Sequence, residues 1–369
     1  MIKARTRRII QGADYSAQEP RVLSMLCADE GMLQAYRDGK DLYVEIAAIS
    51  LHLSYKECIE HFPKGAPIKQ GEDGKWYYAK LKDGSDDGKA NFEDMDYSNI
   101  NPDKYDYDKL SDGETDTYKD GKERRGQAKK ILLGIMYGRG EASIAEQLGC
   151  EVEEAREIKN SVYDAFPGIK AFERESNMMV RELGFVTTLW GRKRQLPNYN
   201  LPSLQFFYLD ENDQIDYTKP VHKDIAAEKA EKINSLYWAA KAKYIEDLRT
   251  ISKIGVIDNN HKIADASRQI INSRVQGSAA DMSKLALIKI HDDDELSKRG
   301  VKTIIPVHDE ILIETPLRYA RYVKARFAHD METAAKPKLT IPVSCDVTSS
   351  DRWYGEELDL DAALVGLED

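Results

Sequence analysis

Apolar residues recur with helical spacing through most of the middle of the chain, and strand-like runs occur near its two ends. The first run, Ile9-Ile10-Gln11-Gly12-Ala13, predicts a short strand that leads directly into Asp14. The second, Ile304 to Ile313, has two apolar segments around His308-Asp309-Glu310 and predicts a hairpin with adjacent carboxylates at its tip. The pattern predicts a mixed α/β (α+β) protein with acidic residues at strand ends.

The stretch Arg124 to Gly138 carries a row of four residues at intervals of four: Arg125, Lys129, Leu133 and Tyr137. Each step turns an α-helix by about 400°, so the row stays on one side. We expect the helix N-terminus to lie beside the two cations and to add its partial positive charge. An anionic tail followed by a flat ring, as in a nucleoside triphosphate, suits this row. A basic amphipathic surface helix is the alternative interpretation.

Asp14 has two interpretations in its local sequence. A carboxylate at the end of a buried strand is costly unless it meets a cation or a metal ion. It would also serve as the N-cap of the helix that follows, Val22 to Leu26. The local sequence does not separate the two.

A second polar row consists of Arg268, Asn272 and Gln276, four residues apart on a helix predicted over 265–290. One arginine and two carboxamides suit contact with hydrogen-bond acceptors such as minor-groove base edges. A solvated helix face is the alternative. The run His291 to Asp294 follows this helix and predicts a solvated connection, so we favour residues 308–310 for metal.

Two stretches are predicted to be insertions. Residues 64–121 are acidic, rich in glycine and poor in aliphatic residues, and a small hairpin is expected around Trp76-Tyr77-Tyr78. Residues 198–262 are expected to be irregular except for one helix, whose apolar stripe from Ile233 to Ile251 predicts packing.

The net charge of −10 at pH 7, taken alone, argues against a nucleic-acid partner. Residues 71–121 contain 15 acidic residues and 7 lysines, so the rest of the chain carries only −2. Cations cluster at Arg5–Arg8, Lys122–Lys130 and Arg192–Arg194. Such local patches decide where a phosphate backbone can lie.

Targeting signals are not evident, because no apolar run reaches the roughly 20 residues of a membrane span and the start lacks an apolar signal-peptide core. The four cysteines are scattered and have no paired spacing for zinc or a redox dithiol. They predict reduced thiols in a cytosolic protein.

Four separated segments resemble motifs of family A (polymerase I-like) DNA polymerases, and they follow one another along the chain as those motifs do. They are Asp14-Tyr15-Ser16 with Glu19 and Arg21 (motif A), Arg125, Lys129, Gly134, Tyr137 and Gly138 (motif B), Val307 to Glu310 (motif C), and Arg268, Asn272 and Gln276 to Asp281 (the helix before motif C). The resemblance runs from residue 1 to about residue 353. The two predicted insertions and the sequence of residues 14–21, DYSAQEPR, resemble phage members of the family.

The resemblance implies a right-hand polymerase fold. Residues 1–22 and 263–369 would form an antiparallel-sheet palm, and residues 23–262 mostly helical fingers with insertions at about 64–121 and 198–262. In the family the thumb, the first part of the palm and any exonuclease domain precede motif A. We therefore expect a C-terminal fragment, a truncated product or one half of a split enzyme, partnered by an N-terminal polymerase fragment that carries the thumb.

The resemblance also implies a metal site. Asp14 and Asp309 would bind two Mg²⁺ ions, with the Tyr15 carbonyl as a further ligand and Glu310 close by. Two such ions activate the primer 3′-hydroxyl and stabilise the leaving pyrophosphate in an in-line displacement.

Roles toward nucleotide and DNA are carried over in the same way. Arg125 and Lys129 would hold the triphosphate, Lys129 also protonating the pyrophosphate, while Tyr137 packs near the nascent base pair. Leu133 stands where the family usually has Phe or Tyr. Glu19 would exclude a 2′-hydroxyl. His308 would touch the primer end, and the row of Arg268, Asn272 and Gln276 would face the minor groove.

The function implied is template-directed DNA synthesis in replication, in the cytoplasm of a bacterium or a phage-infected host, with primer-template DNA and dNTPs as partners and no membrane. Two alternatives stay open. One is a non-catalytic DNA-binding remnant or subunit. The other is a single-subunit RNA polymerase, which Glu19 opposes.

Overall fold

The computed structural model describes residues 2–58, 68–70, 76–81, 105–109, 112–336 and 338–365. The chain forms two compact units, Met1–Glu173 with Val275–Asp369, and Arg174–Arg274. No helix in the described ranges is both long enough and apolar enough to cross a bilayer.

Helices and strands alternate irregularly along the chain, as expected for a mixed fold. The helices are α1 (Gln18–Cys27), α2 (Glu30–Arg37), α3 (Leu42–Leu51), α4 (Asp112–Met136), α5 (Glu141–Leu148), α6 (Val152–Ala165), α7 (Pro167–Leu183), α8 (Lys223–Ser235), α9 (Trp238–Thr250), α10 (Asn260–Asp292), α11 (Asp294–Lys298), α12 (Ala320–Thr333) and α13 (Leu360–Val365). The strands are β1 (Arg8–Tyr15), β2 (Ile68–Gln70), β3 (Trp76–Leu81), β4 (Tyr105–Lys109), β5 (Phe185–Thr187), β6 (Lys193–Gln195), β7 (Leu204–Leu209), β8 (Ile215–Pro220), β9 (Ile254–Asp258), β10 (Lys302–Val307), β11 (Glu310–Pro316) and β12 (Cys345–Ser350).

A four-stranded antiparallel sheet lies in the first unit, with strand order β10-β11-β1-β12. The predicted mixed fold and the hairpin at residues 308–310 are confirmed, since β10 and β11 pair across His308 and Asp309. In this register Asp14 of β1 lies opposite Glu310 on one side and Asp346 on the other. The sheet therefore brings carboxylates from both ends of the chain together at one end of its strands.

Gln11 ties three strands and a helix together at the centre of this sheet. Its buried amide nitrogen donates to the Ala320 carbonyl at 3.0 Å and to Ser349 Oγ at 3.1 Å. Its amide oxygen accepts a hydrogen bond from Thr315 Oγ1 at 2.9 Å. A buried amide with both ends satisfied fixes the relative position of the groups it joins.

The basic opening of the chain has a structural role beyond the phosphate patch expected for Arg5–Arg8, because Arg5 and Arg8 pair with Glu314 while Arg7 stays exposed. Glu314, a buried residue of β11, accepts hydrogen bonds from the Arg5 main chain and guanidinium, and Arg8 Nε lies 2.8 Å from its Oε2. Hydrogen bonds from Arg5 lower the pKa of Glu314 to about 2. Two of the arginines are committed because a carboxylate inside the sheet requires cations.

Helix α4 begins at Asp112, about three turns before Arg124. The expected position of a helix N-terminus beside Arg125 and Lys129 is therefore wrong, and residues 112–121 are helical, where the sequence predicted a loop-rich segment. Gly113 and Gly121 do not stop the helix, because each costs only about 1 kcal/mol relative to alanine.

The N-cap interpretation of Asp14 is also wrong. Helix α1 starts at Gln18 and its N-cap is Ala17, which has a φ of 52° and no side-chain cap. Asp14 does not cap α1, and its carboxylate is available to the site at the end of β1.

The run His291 to Asp294 is not simply a solvated connection. Asp293 is buried, caps α11 through the main-chain N–H groups of Glu295 and Leu296, and pairs with Arg326 at 2.5 Å. A carboxylate at a helix N-terminus with a cation beside it serves a structural role.

The first predicted insertion contributes a three-stranded antiparallel sheet, β2-β3-β4, in place of the single hairpin expected around Trp76. Residues 59–67, 71–75, 82–104 and 110–111 of this region lie outside the described residues.

The second unit has more regular structure than the sequence predicts. It contains the β5–β6 hairpin and a three-stranded antiparallel sheet, β8-β7-β9, with α8 and α9. Their apolar side chains form a core of their own: Leu204, Phe206, Val221, Ile233, Leu248 and Ile254. The predicted stripe is split between two helices, and its members Tyr237 and Ile251 are 92% and 78% exposed, so packing explains only part of it.

We predict that Glu314→Gln destabilises the protein by about 2 kcal/mol at pH 7, because a neutral amide cannot replace the charged carboxylate in its bonds to Arg5 and Arg8. The depressed pKa of Glu314 shows that these bonds favour the ionised form. This stabilisation is complete above the ordinary glutamate pKa and is lost as the pH falls toward 2. Urea unfolding at several pH values should show the difference shrinking below about pH 4.5.

A matched control is Glu295→Gln, which weakens partly exposed ion pairs with Arg299 and Lys298 and should destabilise the protein much less than Glu314→Gln does. A Glu314→Gln penalty that does not change with pH would contradict the assignment.

Candidate functional site

A cleft of about 630 Å³ opens between the end of β1, the start of α1 and one face of α4, within the first unit. The row Arg125, Lys129, Leu133 and Tyr137 lines this cleft together with Asp14 and Asp309. The opposite face of α4 buries Ala128, Ile131, Leu132 and Ile135. The helix is amphipathic, as the alternative interpretation holds, and its polar row faces the two carboxylates.

Asp14 and Asp309 come together because β1 ends where the turn between β10 and β11 projects. Partial burial and the negative charges of Asp309, Glu310 and Asp346 raise the pKa of Asp14 to about 6. The Asp14 side chain is exposed to solvent. A cation bound there would relieve the part of the pKa rise that comes from the neighbouring carboxylates. Like charges are held together here at a cost in free energy.

The residues present fit a divalent metal ion. Carboxylate and carbonyl oxygens are the ligands that Mg²⁺ prefers, and it is often bound by one or two carboxylates with substrate phosphates supplying the rest. Asp14 and Asp309 provide two carboxylates. Within the described ranges no group of three or more His, Cys, Asp or Glu side chains is arranged to hold a metal by itself.

Tyr15 lines the cleft through its main chain, because its side chain is buried elsewhere. The phenol hydroxyl donates to the Met331 carbonyl at 2.9 Å. Burial of the ring also raises the pKa of Tyr15. The arrangement leaves the backbone carbonyl as the group of Tyr15 that could serve as a ligand.

Glu19, Tyr137 and Gln276 form a hydrogen-bonded chain at the other end of the cleft. The Tyr137 hydroxyl donates to Glu19 Oε2 at 3.2 Å, and Gln276 Nε2 lies 3.4 Å from the same hydroxyl. Burial raises the pKa of Glu19, and the hydrogen bonds from Tyr137 and Gln276 oppose that rise. The sequence placed these three residues on three different motifs, and the structure brings them into contact.

Several cleft residues were missed by the sequence analysis. Arg125 Nε donates to Asp41 Oδ2 at 2.8 Å, and its guanidinium lies 5.4 Å from the centre of the Tyr43 ring. Lys40 and Tyr36 line the same cleft. Asp41 accepts from the Tyr43 N–H as the N-cap of α3, so the Asp at the start of an apolar helix was the available signal, although it indicates only a cap.

The remaining predicted site residues are placed as follows. His308 is exposed in the turn after β10 and has a φ of 56°, a left-handed conformation that histidine adopts more readily than most residues. Arg268 and Asn272 belong to the second unit, and Gln276 to the first. Arg268 pairs with Asp265, and Asn272 Oδ1 is buried. Their predicted contact with DNA stays a prediction.

A family model described as DNA polymerase family A matches residues 113–355, about two thirds of the chain. The chain belongs to this family. Helix α4 and the hairpin that carries Asp309 both lie inside the matched region, whereas Asp14 precedes it.

Curated family A relatives extend the similarity toward the N-terminus. DNA polymerase I of Borreliella burgdorferi is 24% identical over 352 residues, 95% of this chain and 25% of the relative. DNA polymerase I of Caldicellulosiruptor bescii is 28% identical over 232 residues, 63% of this chain and 20% of the relative. The chain therefore spans about a fifth to a quarter of the length of these relatives.

A solved structure shares the fold. The POL domain of Pol1 from M. smegmatis, in complex with DNA primer-template and dNTP, superposes with a TM-score of 0.58 at 18% identity. The match covers 96% of this chain and 41% of that one. At this identity the likeness concerns the fold.

In this family A chain we predict that Tyr137→Phe raises the pKa of Glu19 further, because the lost hydroxyl is a donor that favours the ionised carboxylate. A ¹³C NMR titration of the glutamate carboxyl signals, with Glu19 assigned through Glu19→Gln, measures the change. Tyr43→Phe is the matched control in the same cleft and should leave the titration unchanged. A Glu19 pKa that stays constant or falls in Tyr137→Phe would rule out the hydrogen bond.

Proposed function

We propose that this chain is the nucleotidyl-transfer portion of a template-directed DNA polymerase that acts in DNA replication. The observation that carries the proposal is the single cleft in which Asp14 and Asp309 face the row from Arg125 to Tyr137. One end of the cleft concentrates negative charge suited to cations, and the α4 wall carries positive charge suited to phosphates. Family membership supports the same reaction.

In this proposal the primer 3′-hydroxyl gives its proton to water while its oxygen attacks the α-phosphorus of a dNTP, the bond from that phosphorus to the oxygen bridging the β-phosphate breaks, and pyrophosphate leaves. Asp14, Asp309 and the Tyr15 carbonyl would hold two Mg²⁺ ions, which supply activation of the 3′-hydroxyl and neutralisation of the phosphates. Arg125 and Lys129 bind the triphosphate, and Lys129 donates a proton to the departing pyrophosphate. Holding both reactants in one cleft removes much of the entropic cost of the reaction.

Selection and DNA contact fall to other residues. Glu19, fixed by Tyr137, sits against the sugar and excludes a 2′-hydroxyl, while the Tyr137 ring and Leu133 contact the nascent base pair. His308 contacts the primer end.

The row of Arg268, Asn272 and Gln276 is assigned to the minor groove. We assign residues 1–22 and 263–369 to a palm, residues 23–262 to fingers, and the source to a phage-like replication system in a bacterial cytoplasm.

Primer extension with dNTPs and Mg²⁺ tests the proposal directly. We expect Asp309→Asn to lower the rate about 1,000-fold, because a misplaced metal removes several kcal/mol of transition-state stabilisation. Asp292→Asn, an exposed carboxylate outside the cleft, is the control and should retain the parent rate.

The assay is run with the chain alone and with an added N-terminal polymerase portion, since the relatives extend well beyond the matched region. Gel-shift binding of primer-template without extension in both arms would favour the non-catalytic alternative. An Asp309→Asn variant as fast as the parent would refute the metal assignment.

A separate prediction concerns sugar selection. Glu19→Ala should lower the preference for dNTP over rNTP about 100-fold, because the partly buried side chain that is proposed to fill the space of a 2′-hydroxyl is gone. Single-nucleotide incorporation kinetics measure the ratio, and Glu123→Ala on the exposed part of α4 is the control. A parent enzyme that already prefers rNTPs would instead support the RNA polymerase alternative.

A further inference from the structure

A second cavity, of about 920 Å³, adjoins the carboxylates on the face of the sheet formed by β1, β11 and β12. Asp14, Glu310 and Asp346 line it together with Trp353 and Tyr354, which follow β12. The proposed reaction gives no role to these two aromatic residues, although they share a cavity with Asp14.

The Glu310 carboxylate is confined from one side by the main chain of β1. A Cβ atom added at Gly12 would collide with Glu310 Oε1 and would lie 3.0 Å from Leu312 Cδ2. Glycine at this position therefore allows the carboxylate to lie flat against the strand. Any larger residue would push it toward the open cavity.

Trp353 holds the same carboxylate from the other side. Its indole Nε1 donates to Glu310 Oε2 at 3.2 Å. The indole N–H is only a donor, so it favours the ionised carboxylate and does not compete with it for a cation. Tyr354 stacks on the indole, with ring centroids 4.7 Å apart and planes at 23°.

The main chain that carries the indole is held by hydrogen bonds on both sides of Trp353. The main-chain N–H of Trp353 donates to the Ile2 carbonyl at 3.0 Å, and the main-chain N–H of Ala4 donates to the Asp351 carbonyl at 2.8 Å. The Gly355 N–H closes the turn on the Arg352 carbonyl at 2.9 Å. The ring is thus positioned by the opening segment of the chain and by the end of β12.

We infer that Trp353 is a positioning residue for Glu310, fixing this carboxylate beside Asp14 and Asp309 through its indole N–H. The inference rests on the proposed function, because it deepens the account of the same site. Glu310 lies opposite Asp14 in the sheet register, so a rotation of its side chain changes the negative charge next to the proposed metal site. Outer partners of this kind typically alter activity or metal affinity by about 10–100-fold when removed.

NMR of the four tryptophan indole N–H groups tests the contact without requiring catalysis. Trp353→Phe removes one signal and thereby assigns it. Glu310→Ala should move that signal upfield while leaving the other three in place, because the carboxylate acceptor is lost. A Trp353 signal that does not respond to Glu310→Ala overturns the inference.

Steady-state kinetics of nucleotide incorporation test the role. Trp353→Phe, which keeps an aromatic ring against Tyr354, should lower kcat about tenfold and leave KM for dNTP within about twofold. Glu310→Asp retracts the carboxylate from the indole and should give a similar loss with Trp353 intact. Tyr354→Phe preserves the stacking and is the control with parent kinetics.

The double variant decides whether the tryptophan acts through the glutamate. In a Glu310→Ala background, Trp353→Phe should cause no further loss, whereas two multiplied losses would overturn the inference. A parent protein that incorporates no nucleotide under any arm would count against the proposed function alone, since the NMR result stands independently of it.

Discussion

The antiparallel pairing of β1 with β11 is the interaction on which the rest of the structure depends. It joins residues about 300 positions apart in sequence and sets Asp14 opposite Glu310 at one end of the strand pair. A shift of one residue would turn Asp14 to the other face of the sheet and separate it from Asp309. The register is maintained by Gln11 in the middle and by Glu314 with Arg5 and Arg8 at the far end.

The two ends of this strand pair treat negative charge in opposite ways. Glu314 is surrounded by cations, and its pKa is depressed to about 2. Partial burial and the neighbouring carboxylates together raise the pKa of Asp14 to about 6. The first arrangement stabilises the fold, whereas the second costs free energy in the free protein. Divergent carboxylate environments within one small sheet are typical of a functional site built on a structural scaffold.

Patterns that are local in sequence predicted the parts of the site that depend on one element. The four-residue row on α4 needed only helical periodicity, and the hairpin that carries Asp309 needed only two apolar runs around a turn. The family resemblance then related these segments to one another, and the family match bears out that relation at the level of the family. Residue roles at the site rest on the proposal.

Features that depend on tertiary contact could not be predicted. Asp41 reaches Arg125 across 84 positions, and Trp353 reaches Glu310 across 43, without any periodic signal. The early start of α4 was missed because residues 112–121 share the acidic, glycine-containing composition of the predicted insertion, although a glycine inside a helix costs only about 1 kcal/mol. The β7–β9 pairing was missed because it joins segments about 50 residues apart that read separately as irregular.

The central claim is that Asp14 and Asp309 hold metal ions, and that these ions and the α4 row bind the same nucleotide. Anomalous diffraction from crystals soaked with Mn²⁺ and a non-hydrolysable dNTP tests it most directly. The account predicts manganese peaks between the Asp14 and Asp309 carboxylates, with the triphosphate against Arg125 and Lys129. Manganese or nucleotide bound elsewhere, with no peak between those two carboxylates, would contradict it.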